Sequence, residues 1–166
     1  MNKEQIKLVN KTARSKGAIG RNAILPKYII ENFEFDKVGN ILDFGAGKNI
    51  IHTKALRDKG YLVDAYDIGD NFIKGVHTEI KDQKYDIIFA SNVINILPNL
   101  VSIIEVIGLI YYLLDEDGCT LFNFPKNPRK LEISDDDFKE LLSHFFYDVR
   151  IEKYNSTKIF ICRREY

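Results

Sequence analysis

Cysteine is scarce. Cys119 and Cys162 are the only two in 166 residues, and they form neither a disulfide framework nor a pair at metal-ligand spacing. A reducing, cytosol-like compartment is the expectation. Proline is scarce as well, with four residues, and no low-complexity tract occurs, which argues against disordered and collagen-like chains. No apolar run approaches the roughly 18 residues of a membrane span. Residues 1–10 carry Lys3, Glu4 and Lys7 in place of an apolar secretory core, so a signal peptide is not expected. Net charge is also missing, since 24 basic residues balance 24 acidic ones.

What is present is one domain's worth of ordinary globular composition, 45% hydrophobic and 29% charged. A chain of this size buries roughly 70% of its unfolded surface and needs no staples. The zero net charge conceals an asymmetry. Residues 1–27 hold seven basic side chains (Lys3, Lys7, Lys11, Arg14, Lys16, Arg21 and Lys27) against Glu4, a net +6, and the remaining 139 residues carry −6. Such a basic arm suits a polyanion or a phosphorylated ligand, and equally a solvated helix face.

Periodicity predicts a short helix over 3–13, a glycine-bearing loop over 15–22, and a second helix near 26–33 with Pro26 in its first turn. From Asn40 onward strands and helices alternate. Ile41-Leu42-Asp43-Phe44 is an apolar strand ended by Gly45-Ala46-Gly47. A helix over 49–59, a strand over 61–67 and an irregular connection with a brief strand near 76–80 follow. Residues 85–90 form another buried strand. Leu100, Ile103, Ile104, Ile107, Ile110, Tyr111 and Leu114 make the apolar stripe of a helix over 98–114. A turn at Asp117-Gly118 leads into a strand over 120–124. Ser134 and Asp137 form a capping box, and strands 148–154 and 158–162 close an antiparallel hairpin. The pattern specifies an α/β fold: a mostly parallel, Rossmann-like sheet of seven or six strands, with helices on both faces and a C-terminal antiparallel hairpin. Residues 1–39 read as a basic helical extension or lid and 40–166 as the ligand-binding domain.

Open parallel sheets bind ligands beyond the carboxyl ends of their strands. Three such ends are legible: the turn after Asp43, Asp67-Ile68, and Ala90-Ser91-Asn92. Glycine lets a ligand approach the backbone, and a carboxylate at Asp67 can accept both hydroxyls of a ribose. Phosphate-binding alternatives fit less well. A P-loop needs glycine at Leu42, an NAD fingerprint needs it at Ile50, and Asp43 would repel a pyrophosphate.

Three segments, Ile-Leu-Asp-Phe-Gly-Ala-Gly, Val-Asp-Ala-Tyr-Asp and Tyr-Asp-Ile-Ile-Phe-Ala-Ser-Asn-Val-Ile-Asn-Ile-Leu, together resemble the class I S-adenosylmethionine-dependent methyltransferases over residues 40–166. The resemblance implies that Asp43, Gly45, Ala46 and Gly47 line the methionine end of the cofactor S-adenosylmethionine. It implies that Asp67 binds the ribose, that Ile68 packs on the adenine, and that Glu79 or Asp82 meets the adenine amino group. Ser91 and Asn92 would face the methyl group and the acceptor, with Asn92 the candidate catalytic residue. Asn49 stands where the family often has a third glycine, and Lys48 is unusual beside a sulfonium. His52, His77 and His144 lie at no predicted strand end and read as surface or partly buried side chains, so no general base is assigned.

For the acceptor, the basic arm and the loop Lys16-Gly17-Ala18-Ile19-Gly20-Arg21 point to nucleic acid, with Lys16, Arg21 and Asn22 as phosphate contacts. Against this, Ser91-Asn92-Val93-Ile94 replaces the Asp/Asn-Pro-Pro-Tyr motif of amino-methylating DNA enzymes. The alternatives are a small-molecule or protein acceptor, with the N-terminal helices as a lid, and a non-catalytic scaffold of the same fold.

Overall fold

The computed structural model describes residues 1–15, 24–80, 82–125 and 130–164. Its elements in chain order are α1 (Lys3–Ser15), α2 (Ile24–Asn32), β1 (Asn40–Phe44), α3 (Ile51–Arg57), β2 (Leu62–Tyr66), β3 (Tyr85–Ala90), α4 (Leu100–Leu113), β4 (Leu114–Asn123), α5 (Asp135–Ser143), β5 (Asp148–Tyr154) and β6 (Thr157–Arg163). Single 3-10 turns occupy Gly69–Asn71 and Ile94–Ile96. The loop over 16–22, with Lys16, Arg21 and Asn22, lies outside the described residues.

One six-stranded sheet runs β2-β1-β3-β4-β6-β5. The first four strands are mutually parallel, and β6 enters antiparallel between β4 and β5. Alternation along β1 divides the core. Leu42 and Phe44 face α4 and α5, where Ile103, Ile107, Phe138 and Leu142 are buried with them. Ile41 faces the opposite layer, with Leu25 and Ile29 of α2 and Leu56 of α3. Asn155 and Ser156, at φ 46° and 66°, form the two-residue hairpin turn between β5 and β6, a primed turn whose twist matches the strands. The Ser134–Asp137 capping box is present at the start of α5.

The sheet takes the six-stranded form because no strand forms over 76–80. Residues 69–80 instead fold into turns: Gly69 and Gly75 have positive φ, and the Val76 and His77 N–H groups both donate to the Ile73 carbonyl. The segment still touches the sheet edge, where the Thr78 N–H donates to the Ala65 carbonyl at 2.7 Å. β4 begins earlier than its apolar run suggests, with a bulge between the Tyr85–Leu114 and Ile87–Cys119 pairings that takes in Asp117-Gly118. Among the described residues no helix is long and apolar enough to cross a membrane.

Strand order reverses at β1, whose neighbours are β2 on one side and β3 on the other. In such a sheet the position for a ligand lies beyond the carboxyl ends of β1 and β3.

Candidate functional site

The turn after β1 is held from below. Gly45 and Ala46 both donate their N–H groups to the Tyr66 carbonyl, at 2.8 and 2.9 Å, and the Gly47 N–H donates to Asp67 Oδ2 at 2.7 Å. Gly45 has φ +82°, and a Cβ there would run into the Val93 side chain, so only glycine fits. Gly47 has φ +69°, and none of the described residues stands within 4 Å of where its Cβ would be. The backbone at Gly47 is thus open to a ligand.

Asp67 lies one residue beyond β2 and is buried. Besides the Gly47 N–H, it accepts the Ile68 N–H on Oδ1 at 2.7 Å and a bond from Asn71. Burial raises its carboxyl above the usual carboxylate range, while these bonds act against the rise. Asp43 sits beneath the turn, 1% exposed, on the face of β1 toward α3, where it accepts the Thr53 hydroxyl at 2.8 Å. Burial pushes its carboxyl up to about 7; the Thr53 bond opposes the shift, and the neighbouring Asp67 adds to it. Asp43 therefore meets the site through its field, with its hydrogen bond spent on Thr53 of α3.

At the end of β3, Asn92 adopts φ +58°, a left-handed conformation that asparagine tolerates. Its N–H donates to Asn123 Oδ1 at 2.7 Å, and Asn123 Nδ2 donates back to Asn92 Oδ1 at 2.8 Å. Asn123 is the last residue of β4, so the pair ties two strand ends together. Among the described residues, the buried Ser91 hydroxyl oxygen beside it finds no hydrogen-bond partner.

α1 packs on both 3-10 turns, Gly69–Asn71 after β2 and Ile94–Ile96 after β3, and so crosses the strand ends. Asn10 donates to the Ile68 carbonyl and accepts from Asn71 Nδ2, each at 3.2 Å. Its exposed Lys3, Lys7 and Lys11 recur every four residues along the opposite, solvent side.

The structure thus gathers Asp43, Gly45, Ala46, Gly47, Asp67, Ile68, Ser91 and Asn92 at one edge. Asp82 is not among them; it accepts the Tyr112 hydroxyl near the end of α4, at the opposite end of β3. His77, read from sequence as a surface or partly buried side chain, is more enclosed than that. It is buried and reaches the Gly47 carbonyl. Asn123, Asn71, Asn10 and Thr53 were not singled out from sequence. Asn123 left one signal, a lone amide within an apolar strand.

A family model described as "Methyltransferase domain" matches residues 19–159. The chain belongs to that family. No curated protein matches it in sequence at a significant level. Among solved structures it is similar to a SAM-dependent methyltransferase from Bacteroides fragilis in complex with S-adenosyl-L-homocysteine (19% identity over 78% of this chain and 73% of that one, TM-score 0.57). It is similar also to magnesium protoporphyrin IX methyltransferase from Synechocystis PCC 6803 with bound SAM (15% identity, 96% and 82% covered, TM-score 0.60). A third is human N-acetylserotonin methyltransferase in complex with SAM (14% identity, TM-score 0.62), where 87% of this chain spans only 53% of that protein. The fold is that of the S-adenosylmethionine-dependent methyltransferases.

Proposed function

We propose that the position between the glycine turn and the end of β3 holds S-adenosylmethionine, and that the domain methylates a small-molecule acceptor enclosed beneath α1. One observation carries the cofactor reading. The N–H groups of Gly45, Ala46 and Gly47 are all engaged inward, so the turn has no cradle for a phosphate, whereas carboxylates stand behind it. Acceptor-only groups suit a ligand that brings hydroxyls and positive charge. With bonds accepted from the Gly47 and Ile68 N–H groups and from Asn71, the Asp67 carboxylate keeps one lone pair for a ribose hydroxyl. The open face of Gly47 and the unpartnered Ser91 hydroxyl are where this structure has room and polarity to spare.

In this reading Gly45, Ala46 and Gly47 line the methionine end, Ile68 packs on the adenine, and the Asp43 carboxyl below adds a field that favours a cation. When bound, the cofactor supplies a methyl group on a positively charged sulfur, already activated for in-line displacement. The chain's own residues align and desolvate. Asn92, fixed by Asn123, keeps an amide-oxygen lone pair for a donor on the acceptor, and α1 excludes water.

The acceptor class follows from the placement of α1. Its apolar side covers the strand ends and its lysines face away, which favours an enclosed small molecule over a duplex. The names of the structural neighbours are consistent with this. The lysine stripe itself keeps nucleic acid as a second reading.

Calorimetry with S-adenosylmethionine and S-adenosylhomocysteine tests the first half. We expect saturable heat from both; silence from both leaves the non-catalytic scaffold. Incubation with methyl-labelled cofactor and cell extract tests the second half. Label in the low-molecular-mass fraction supports the enclosed acceptor, and label in nucleic acid, with salt-sensitive binding, overturns it.

A further inference from the structure

Gly47 is gripped on both sides, through the peptide group before it and the peptide group after it. Its N–H donates to Asp67, and its carbonyl oxygen lies 2.9 Å from His77 Nε2. The second ring nitrogen, Nδ1, is 3.0 Å from the Ile73 N–H. A backbone N–H only donates, so Nδ1 carries no proton. In a neutral ring the hydrogen then sits on Nε2, where it donates to a carbonyl that only accepts. Two separate contacts thus require one and the same tautomer. The ring is 6% exposed and lies against Phe72, with ring centres 5.8 Å apart.

Gly47 needs such a grip. It has the widest conformational choice of any residue type, it adopts positive φ, and none of the described residues packs where its Cβ would stand. The N–H and the carbonyl belong to successive peptide groups joined at the Gly47 Cα. Without His77 the carbonyl keeps, among the described residues, only the longer Ile50 N–H contact at 3.4 Å, and Gly47 is then free to change φ and ψ and carry its N–H away from Asp67. We infer that His77 is a positioning residue for the cofactor: it fixes the Gly47 carbonyl, and through the φ and ψ of Gly47 the N–H that orients the Asp67 carboxylate toward the ribose. The role rests on the cofactor reading above. It differs from that of a core histidine, which would support folding and leave affinity alone.

The test uses the full chain. Nitrogen-15 spectra of the ligand-free protein are expected to show His77 with its hydrogen on Nε2; a hydrogen on Nδ1 overturns the inference. Calorimetric titration with S-adenosylhomocysteine compares wild type, His77→Phe and His77→Gln. The phenyl ring keeps the packing and loses both bonds, so affinity should fall roughly tenfold or more. The glutamine amide brings a donor back to about the Nε2 position and should recover most of that loss, a rescue that volume alone does not provide. If His77→Phe fails to fold, His77→Asn takes its place: its amide reaches the Nδ1 position and falls short of Gly47, so the affinity loss should persist. Wild-type binding that His77→Phe or its substitute leaves unchanged overturns this role alone. No heat from wild type overturns the cofactor reading and this role with it.

Discussion

Asn92 and Asn123 exchange hydrogen bonds across the ends of β3 and β4, the N–H of one to the amide oxygen of the other and the amide of the second back to the first. Because Asn92 stands at positive φ, the pair fixes both a side chain and an unusual backbone conformation. Asn123→Ala removes both partners of Asn92 and should cost about 1–2 kcal/mol of stability. Asn92→Gly keeps the left-handed backbone and the N–H donated to Asn123, so its stability cost should stay below about 1 kcal/mol. If the Asn92 amide touches the acceptor, Asn92→Gly should still lower the methyl-transfer rate at least tenfold. Urea unfolding and single-turnover transfer, measured side by side, separate the two effects.

Asp67 accepts two backbone N–H groups with two different oxygens. Asparagine is therefore a poor substitute, since its amide nitrogen must face one of those donors. Asp67→Asn and Asp67→Ala should both weaken S-adenosylhomocysteine binding by more than tenfold, on the order of 1.4 kcal/mol or above. Isothermal titration reads the change, and unaltered affinity in Asp67→Ala would remove the ribose contact from the proposal.

Gly69 supports α1 by having no side chain. A Cβ there would run into Ile6 and stand 2.8 Å from Asn10 Nδ2, at a backbone φ of +58°. Gly69→Ala should strain the turn by about 1–2 kcal/mol and also lift α1 from it. Gly75→Ala is the control, since Gly75 has φ +83° but none of the described residues within 4 Å of a Cβ. Limited proteolysis within residues 1–15 should accelerate for the first variant and stay near wild type for the second.

The sheet was legible because burial on both faces writes itself into composition: Ile41-Leu42 and Ile87-Ile88-Phe89 leave little alternative to central parallel strands. The Ser134–Asp137 box is a local interaction, and its spacing sufficed. The strand expected over 76–80 failed because its apolar residues sit among turn-forming neighbours, and turns there satisfy the backbone locally. In the glycine turn, Asn49 stands at the family's third glycine, yet the left-handed residue after Gly47 is Ile50, at φ 44°, a β-branched side chain held there while buried. His77 was out of reach for a different reason. Its partners are the backbone atoms of Gly47 and Ile73, and no residue type along the sequence announces a carbonyl waiting 30 positions away. Asn71 and Asn10 are hidden likewise, since their contact joins a helix and a turn 61 residues apart.

The Asp43 carboxyl makes the fold's stability depend on pH in an unusual sense. Burial, the largest influence, pushes it up to about 7 from an ordinary 3.8, and the nearby Asp67 adds to the rise against the Thr53 bond. Between those values the folded chain holds a proton that the unfolded chain has released. The added stability is fully present below about pH 4 and drains away as pH climbs through about 7, with a slope on the order of 1 kcal/mol per pH unit. Asp67, raised in the same direction, contributes with the same sign. Asp43→Asn keeps an oxygen for the Thr53 hydroxyl and has no proton to lose, so its urea midpoint should vary less with pH. The variant should match wild type near pH 4 and exceed it at pH 8 by at least about 1 kcal/mol. At pH 8 it should also bind S-adenosylmethionine more weakly, because the wild-type carboxylate is then ionised beneath a positively charged ligand. Equal pH slopes for the two proteins would mean that Asp43 is ionised throughout, and the variant's gain in stability would vanish with it.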